Sequence, residues 1–175
     1  DRVVVAIGRR PFTAGLLGED TGVQLDARDF IEVDEHCHTT AAEVWAVGDC
    51  VRGPMLAHKG SREGHVLADM LGGQHVHPVN YANIPNATYC HPQVASIGLT
   101  EQACKDQKLD YKVGKFPFSA NGRARTSGET EGFVKIIRGA KYGEILGAHI
   151  IGAHATELIH EVAVARENEY TVEEI

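Results

Sequence analysis

The spacing of apolar residues changes character near Ile84-Pro85. Before that point, Val3-Val4-Val5-Ala6-Ile7 is a continuous apolar run rich in β-branched residues, which predicts a strand buried on both faces. Residues 9–29 are rich in Gly and Asp and contain Pro11, so they read as loop with a short helical turn around Leu16. Phe30-Ile31-Glu32-Val33 reads as a short edge strand and Val44-Trp45-Ala46-Val47 as a second buried strand. Met55 to Leu71 reads as a helix whose apolar stripe is Leu56, Val66, Leu67, Met70 and Leu71, stopped by Gly72-Gly73.

Beyond Ile84 the pattern becomes strands paired through short turns. Pro92 to Leu99 and Tyr111 to Phe118 read as strands, and Gly132 to Arg138 with Glu144 to Ile151 as a hairpin. Thr100 can cap a short helix that begins at Glu101. Ala155 to Asn168 reads as a helix with Leu158, Ile159, Val162 and Ala165 on one side. Thr171 to Ile175 looks like the start of another. The expected fold class is α+β: an antiparallel sheet with flanking helices, preceded by a partial α/β portion. No internal repeat and no low-complexity segment is evident.

Composition narrows the function. The 175 residues are 43% apolar and carry a formal net charge of -7. That balance argues against nucleic-acid binding and against a polybasic membrane anchor. No apolar run approaches the roughly 20 residues of a membrane span, and the opening does not read as a secretory signal. The chain opens without Met, inside an expected buried strand, so it reads as a piece of a longer protein. Cys37, Cys50, Cys90 and Cys104 form no C-x-x-C and fit a reducing compartment as free thiols. Ten His residues raise the question of a metal. His36 and His38, or His75 and His77, lack a second pair at zinc-finger spacing, and His154 and His160 are too far apart for a helical ligand pair, so no metal site is expected.

The chemistry-bearing stretch is Val44-Trp45-Ala46-Val47-Gly48-Asp49 followed by Met55-Leu56-Ala57-His58. A strand ending in Gly-Asp suits ligand binding, because ligands of open α/β sheets gather at the carboxyl ends of strands. Gly48 admits close backbone approach, Asp49 offers acceptor oxygens to hydroxyls, and the following helix start can stabilise negative charge. The same residues equally suit a strand-loop-helix in which Asp49 only caps a turn.

Three collinear segments carry a resemblance. They are Val5-Ala6-Ile7-Gly8-Arg9-Arg10-Pro11; Val47-Gly48-Asp49 with Gly53-Pro54-Met55-Leu56-Ala57-His58-Lys59; and a third from Tyr89 and His91-Pro92 through Ile97-Gly98-Leu99-Thr100-Glu101 to Lys112-Val113-Gly114-Lys115-Phe116-Pro117-Phe118, Ala120-Asn121 and Arg123-Ala124. Together they resemble the flavin-dependent pyridine nucleotide–disulfide oxidoreductases, and within them the dihydrolipoamide dehydrogenases. The resemblance implies that Asp49 binds hydroxyls on the ribityl chain of FAD. It implies that Met55, Leu56, Ala57 and His58 lie at the flavin pyrimidine edge and that Gly8 lines the NAD site. It divides the chain into the end of an NAD-binding domain (1–10), the later part of an FAD-binding and central region (11–83), and an interface domain (84–175) that forms a homodimer and is cut short at its end. It implies oxidation of dihydrolipoamide with reduction of NAD in 2-oxo acid dehydrogenase complexes, in a bacterial cytoplasm or a mitochondrial matrix.

Several family features are absent from these residues. There is no G-x-G-x-x-G loop for either dinucleotide, no C-x-x-x-x-C, and no His-Pro…Glu pair near the end; His77-Pro78 and His91-Pro92 stand too far upstream. No catalytic residue is therefore assigned, and this chain alone is expected to be inactive and to retain FAD poorly. Gly60 stands where Ala is usual, either weakening the helix by about 1 kcal/mol or, with Gly64, giving a close-packing face. Arg123 and Arg125 are read as solvated loop residues. A sister flavoprotein of other specificity and a non-catalytic dimerisation module are the alternative readings.

Overall fold

A central strand with apolar residues on both faces organises the second half of the chain. In the computed structural model, which describes residues 1–18 and 20–175, Asp1–Tyr81 and Ala82–Ile175 form two units. The second unit contains β1 (Asn86–Thr88), β2 (Gln93–Gly98), β3 (Tyr111–Pro117), β4 (Phe133–Gly139) and β5 (Ile145–Gly152) in one antiparallel sheet of order β1-β2-β5-β4-β3. β5 lies in the middle, with Ile150 opposite both Ala95 of β2 and Val134 of β4. The expected hairpin is β4–β5, and its register shifts between Ile137 and Arg138.

The C-terminal helix, Ala155–Glu167, covers β2 and β5. Its Ala155, Ile159, Val162 and Ala165 join Ala95, Ile97, Ala148 and Ile150 in one buried cluster. Arg166 ties the helix end to the sheet: its Nε donates to the Ile145 carbonyl at 3.0 Å and its Nη1 to the Ala82 carbonyl at 2.8 Å. The short helix Glu101–Asp106 is capped as expected, with the Ala103 N–H donating to Thr100 Oγ1 at 3.1 Å. Glu101 also accepts from Lys135 Nζ at 3.0 Å, and that ammonium holds its carboxyl below the usual range.

The first unit is built differently from its sequence pattern. Its one α-helix of the described residues, α1, runs Ala57–Leu71 and ends where Gly72-Gly73 predicts. Gly73 takes a left-handed φ of 79°, and the Gln74 N–H returns to the Asp69 carbonyl, which closes the last turn. The three strands expected here do not form. Residues 1–10 are exposed and carry no regular element. Ile31 makes isolated bridges to Leu25 and Val51, Val33 to Thr39, and Trp45 to His38. A doubly buried strand needs a hydrogen-bonded neighbour on each side, and the described residues supply none for Val3 to Ile7.

Smaller corrections have equally local causes. Leu158 is 40% exposed, because Ile159 rather than Leu158 points at the sheet. Arg123 and Arg125 sit on a one-turn helix, Gly122–Ser127, capped by Asn121, not in a loop. Thr171 bridges Glu144 and is followed by a turn instead of a helix. β1 and its pairing to β2 have no counterpart in the sequence pattern, since Asn86-Ala87-Thr88 carries no apolar alternation.

Candidate functional site

Position 48 is where the chain turns sharply. Gly48 has a φ of 85°, which favours glycine, and opens a 3-10 turn Gly48–Cys50. Asp49 follows within that turn. It is exposed, and its carboxylate accepts no hydrogen bond among the described residues. It neither caps nor closes the turn.

Helix α1 comes down on Gly48. A Cβ placed on Gly60 would lie 3.1 Å from the Gly48 Cα. Gly60 is therefore a close-packing position, whereas a Cβ at Gly64 would meet nothing within 4 Å. The first residue before the helix, Leu56, makes no side-chain cap. Met55 and Leu56 are half-buried, and Ala57 and His58 are exposed on the first turn. The Gly48-Asp49 turn and the Met55–His58 stretch thus share one unit. Gly8 lies exposed in the element-free opening segment, where a side chain would touch nothing within 4 Å, so the geometry joins it to neither.

Under the turn lies a pair of charges that the sequence analysis missed. Lys59 and Glu63 are both fully buried, with Nζ and Oε1 3.2 Å apart. Lys59 Nζ donates to the Gly48 carbonyl at 2.7 Å, and the Gly48 N–H donates to Glu63 Oε2 at 2.7 Å. Tyr81 donates its hydroxyl to Glu63 Oε1 at 2.7 Å. The readable signal is positional: 56, 59, 63, 66 and 70 are one helical stripe, and two of its five places hold opposite charges. Leu71, expected on the apolar stripe with Leu56, Val66, Leu67 and Met70, is 57% exposed.

Burial, followed by the hydrogen bond and charge of Glu63, pushes the Tyr81 phenol well above its usual range. The folded protein then holds this proton more tightly than the unfolded chain does. The contribution to stability is fully present below the unfolded phenol's pKa of about 10 and is lost as pH rises beyond it. Tyr81→Phe is expected to lose less stability than the wild type above about pH 10, as read from urea midpoints at stepped pH. Parallel losses in the two proteins would contradict this.

The four cysteines are free, and burial pushes the Cys37, Cys50 and Cys104 thiols up. Such thiols are poor nucleophiles. The His75 and His77 rings meet edge to face at 5.3 Å, and no group of three or more candidate ligands gathers among the described residues. No helix of the described residues is long and apolar enough to cross a membrane.

A free carboxylate beside a glycine turn, next to a helix start without a side-chain cap, fits the part of an FAD site that meets sugar-alcohol hydroxyls and a ring bearing negative charge. Comparison with known proteins bears on the family. Residues 84–175 match the family model described as the dimerisation domain of the pyridine nucleotide-disulphide oxidoreductases, and residues 1–64 match that of the pyridine nucleotide-disulphide oxidoreductases themselves. Along its whole length the chain is 46% identical to a dihydrolipoyl dehydrogenase of Cupriavidus necator and 45% identical to the mitochondrial dihydrolipoyl dehydrogenase of Sus scrofa, covering 37% and 34% of them. The chain thus spans about a third of the length of the curated relatives it matches. Among solved structures, LpdA from Mycobacterium tuberculosis and the HOCl-induced flavoprotein disulfide reductase RclA from Escherichia coli each superpose with a TM-score of 0.88 at 29% identity. Each comparison covers 95% of this chain, with 36% of LpdA and 38% of RclA.

Proposed function

The chain belongs to the pyridine nucleotide-disulphide oxidoreductase family, and we propose that its whole protein is an FAD-dependent dihydrolipoyl dehydrogenase. The observation that carries this reading is the 46% identity, over all 175 residues, to a relative of that name. The proposed reaction oxidises dihydrolipoamide and reduces NAD within 2-oxo acid dehydrogenase complexes. The relatives come from a bacterium and from mitochondria, so bacterial cytoplasm or mitochondrial matrix is the proposed location.

In this reading, bound FAD supplies a two-electron carrier between thiols and NAD. The residues of this chain bind and orient. The Asp49 carboxylate accepts hydrogen bonds from ribityl hydroxyls. The start of α1, from Met55 through His58, faces the pyrimidine edge and stabilises negative charge there through its N–H groups and dipole. Gly8 lines the NAD site. The unit Ala82–Ile175 makes the homodimer interface. No redox disulfide and no His-Glu base is assigned to these residues, so the chain by itself is expected not to turn over substrate and to hold FAD weakly.

The test is made on the full-length protein. Purified with FAD, it should form NADH from dihydrolipoamide and NAD. A yellow, NADH-oxidising preparation that ignores dihydrolipoamide would overturn the reading in favour of a sister flavoprotein, the second possibility that the equal superposition on RclA keeps open. A preparation without flavin or turnover would favour a dimerisation module. Asp49→Ala should weaken FAD binding about tenfold or more, equivalent to at least about 1.4 kcal/mol, as measured by quenching of FAD fluorescence.

A further inference from the structure

Glu63 and Lys59 grip the same residue from both sides. Glu63 holds the Gly48 N–H and Lys59 holds the Gly48 carbonyl, each at 2.7 Å. Holding the donor and the acceptor of one residue fixes the two peptide planes that flank it. Tyr81 occupies the remaining carboxylate oxygen, and Gly60 brings the helix backbone against the Gly48 Cα.

Two simpler roles do not account for the pair. Its charges are both fully buried, and a buried ion pair is poor as a source of stability, since apolar residues of similar volume usually serve as well. It is not built to strengthen the helix either, because Lys preceding Glu by four residues is the less favourable order. What the pair does achieve is a fixed separation. It joins the turn that carries the free Asp49 carboxylate to the helix whose first turn carries Ala57 and His58.

We propose that Lys59, Glu63 and Tyr81 are positioning residues that clamp Gly48, so that Asp49 and the start of α1 meet FAD as one pre-set site. The inference rests on the FAD reading given above. Pre-organisation raises affinity by removing the cost of ordering the site at the moment of binding. Loss of the clamp should therefore lower FAD affinity even where the protein stays folded, and the loss should be transmitted through Asp49.

The test uses the full-length protein with Lys59→Met and Glu63→Leu combined, which removes both charges and strands neither. The apoprotein of this variant is expected to stay folded, with a urea midpoint lowered by less than in either single variant, because the charges go together while the Gly48 N–H and carbonyl lose their partners. Its FAD dissociation constant, read by fluorescence quenching, should rise tenfold or more. In an Asp49→Ala background the same pair of changes should weaken binding by a clearly smaller factor than in the wild type, because one of the two elements being positioned has lost its ligand-binding group. A merely structural pair would weaken binding equally in both backgrounds. Should the double variant fail to fold, Tyr81→Phe leaves both charges paired and removes one arm of the clamp, and should weaken FAD binding severalfold. Unchanged FAD affinity in a folded variant, or full additivity with Asp49→Ala, overturns the clamp. If the wild-type protein takes up no FAD at all, the FAD reading itself fails, and that result is recognised without any variant.

Discussion

Glu63→Leu on its own is expected to cost about 3–5 kcal/mol of stability. The substitution leaves the Lys59 ammonium fully buried without its counter-charge. It also strands the Gly48 N–H, which now donates to Glu63, and frees the Tyr81 hydroxyl. Lys59→Met should be nearly as severe, for the mirror-image reason that it leaves a buried carboxylate. The pairing of the two changes should restore most of the loss, so a double-mutant cycle reports a large coupling. Trp45, the single tryptophan, lies in the same unit and provides the fluorescence signal for urea unfolding. A single variant within about 1 kcal/mol of the wild type would show that water reaches the pair and that burial of the charges is not real.

Ile159→Ala should be the most damaging change in the other unit, at about 2–5 kcal/mol. Ile159 is 1% exposed and packs among Ala95, Ile97, Ala148 and Ile150. Its neighbours are already small or belong to strands, so a cavity there cannot close readily. Leu158→Ala provides the internal comparison. That residue is 40% exposed and should change stability by no more than about 0.5 kcal/mol. Thermal unfolding followed by far-ultraviolet circular dichroism separates the two. Equal effects would mean that the helix packs by a different face.

The sheet and its covering helix were legible because their signals are local. β2, β3, β4 and β5 begin and end within a residue or so of the expected positions, and Thr100 caps as its chemistry suggests. Elements failed where the deciding partner lies elsewhere. Val3 to Ile7 has the composition of a buried strand, but composition does not supply the neighbours that make one. Val44 to Val47 likewise makes one bridge, not a ladder. At the candidate site, Asp49 and the α1 start followed from a motif, whereas the Lys59–Glu63 pair did not. Charged residues are read as solvated by default, and only their places on an apolar stripe argue otherwise.

The strand order β1-β2-β5-β4-β3 has a consequence for how the second unit is made. β1 pairs with β2 and β3 with β4, each between segments that are near in sequence. Neither pair touches the other in the finished sheet; both lean on β5, which is the last of these five strands to be synthesised. A nascent chain that has reached only β4 therefore holds two unjoined half-sheets with open edges. The helix that shields β2 and β5 emerges later still. β5 joins β4 through a local hairpin, but its pairing with β2 is non-local, so the sheet is completed only after β5 has been made.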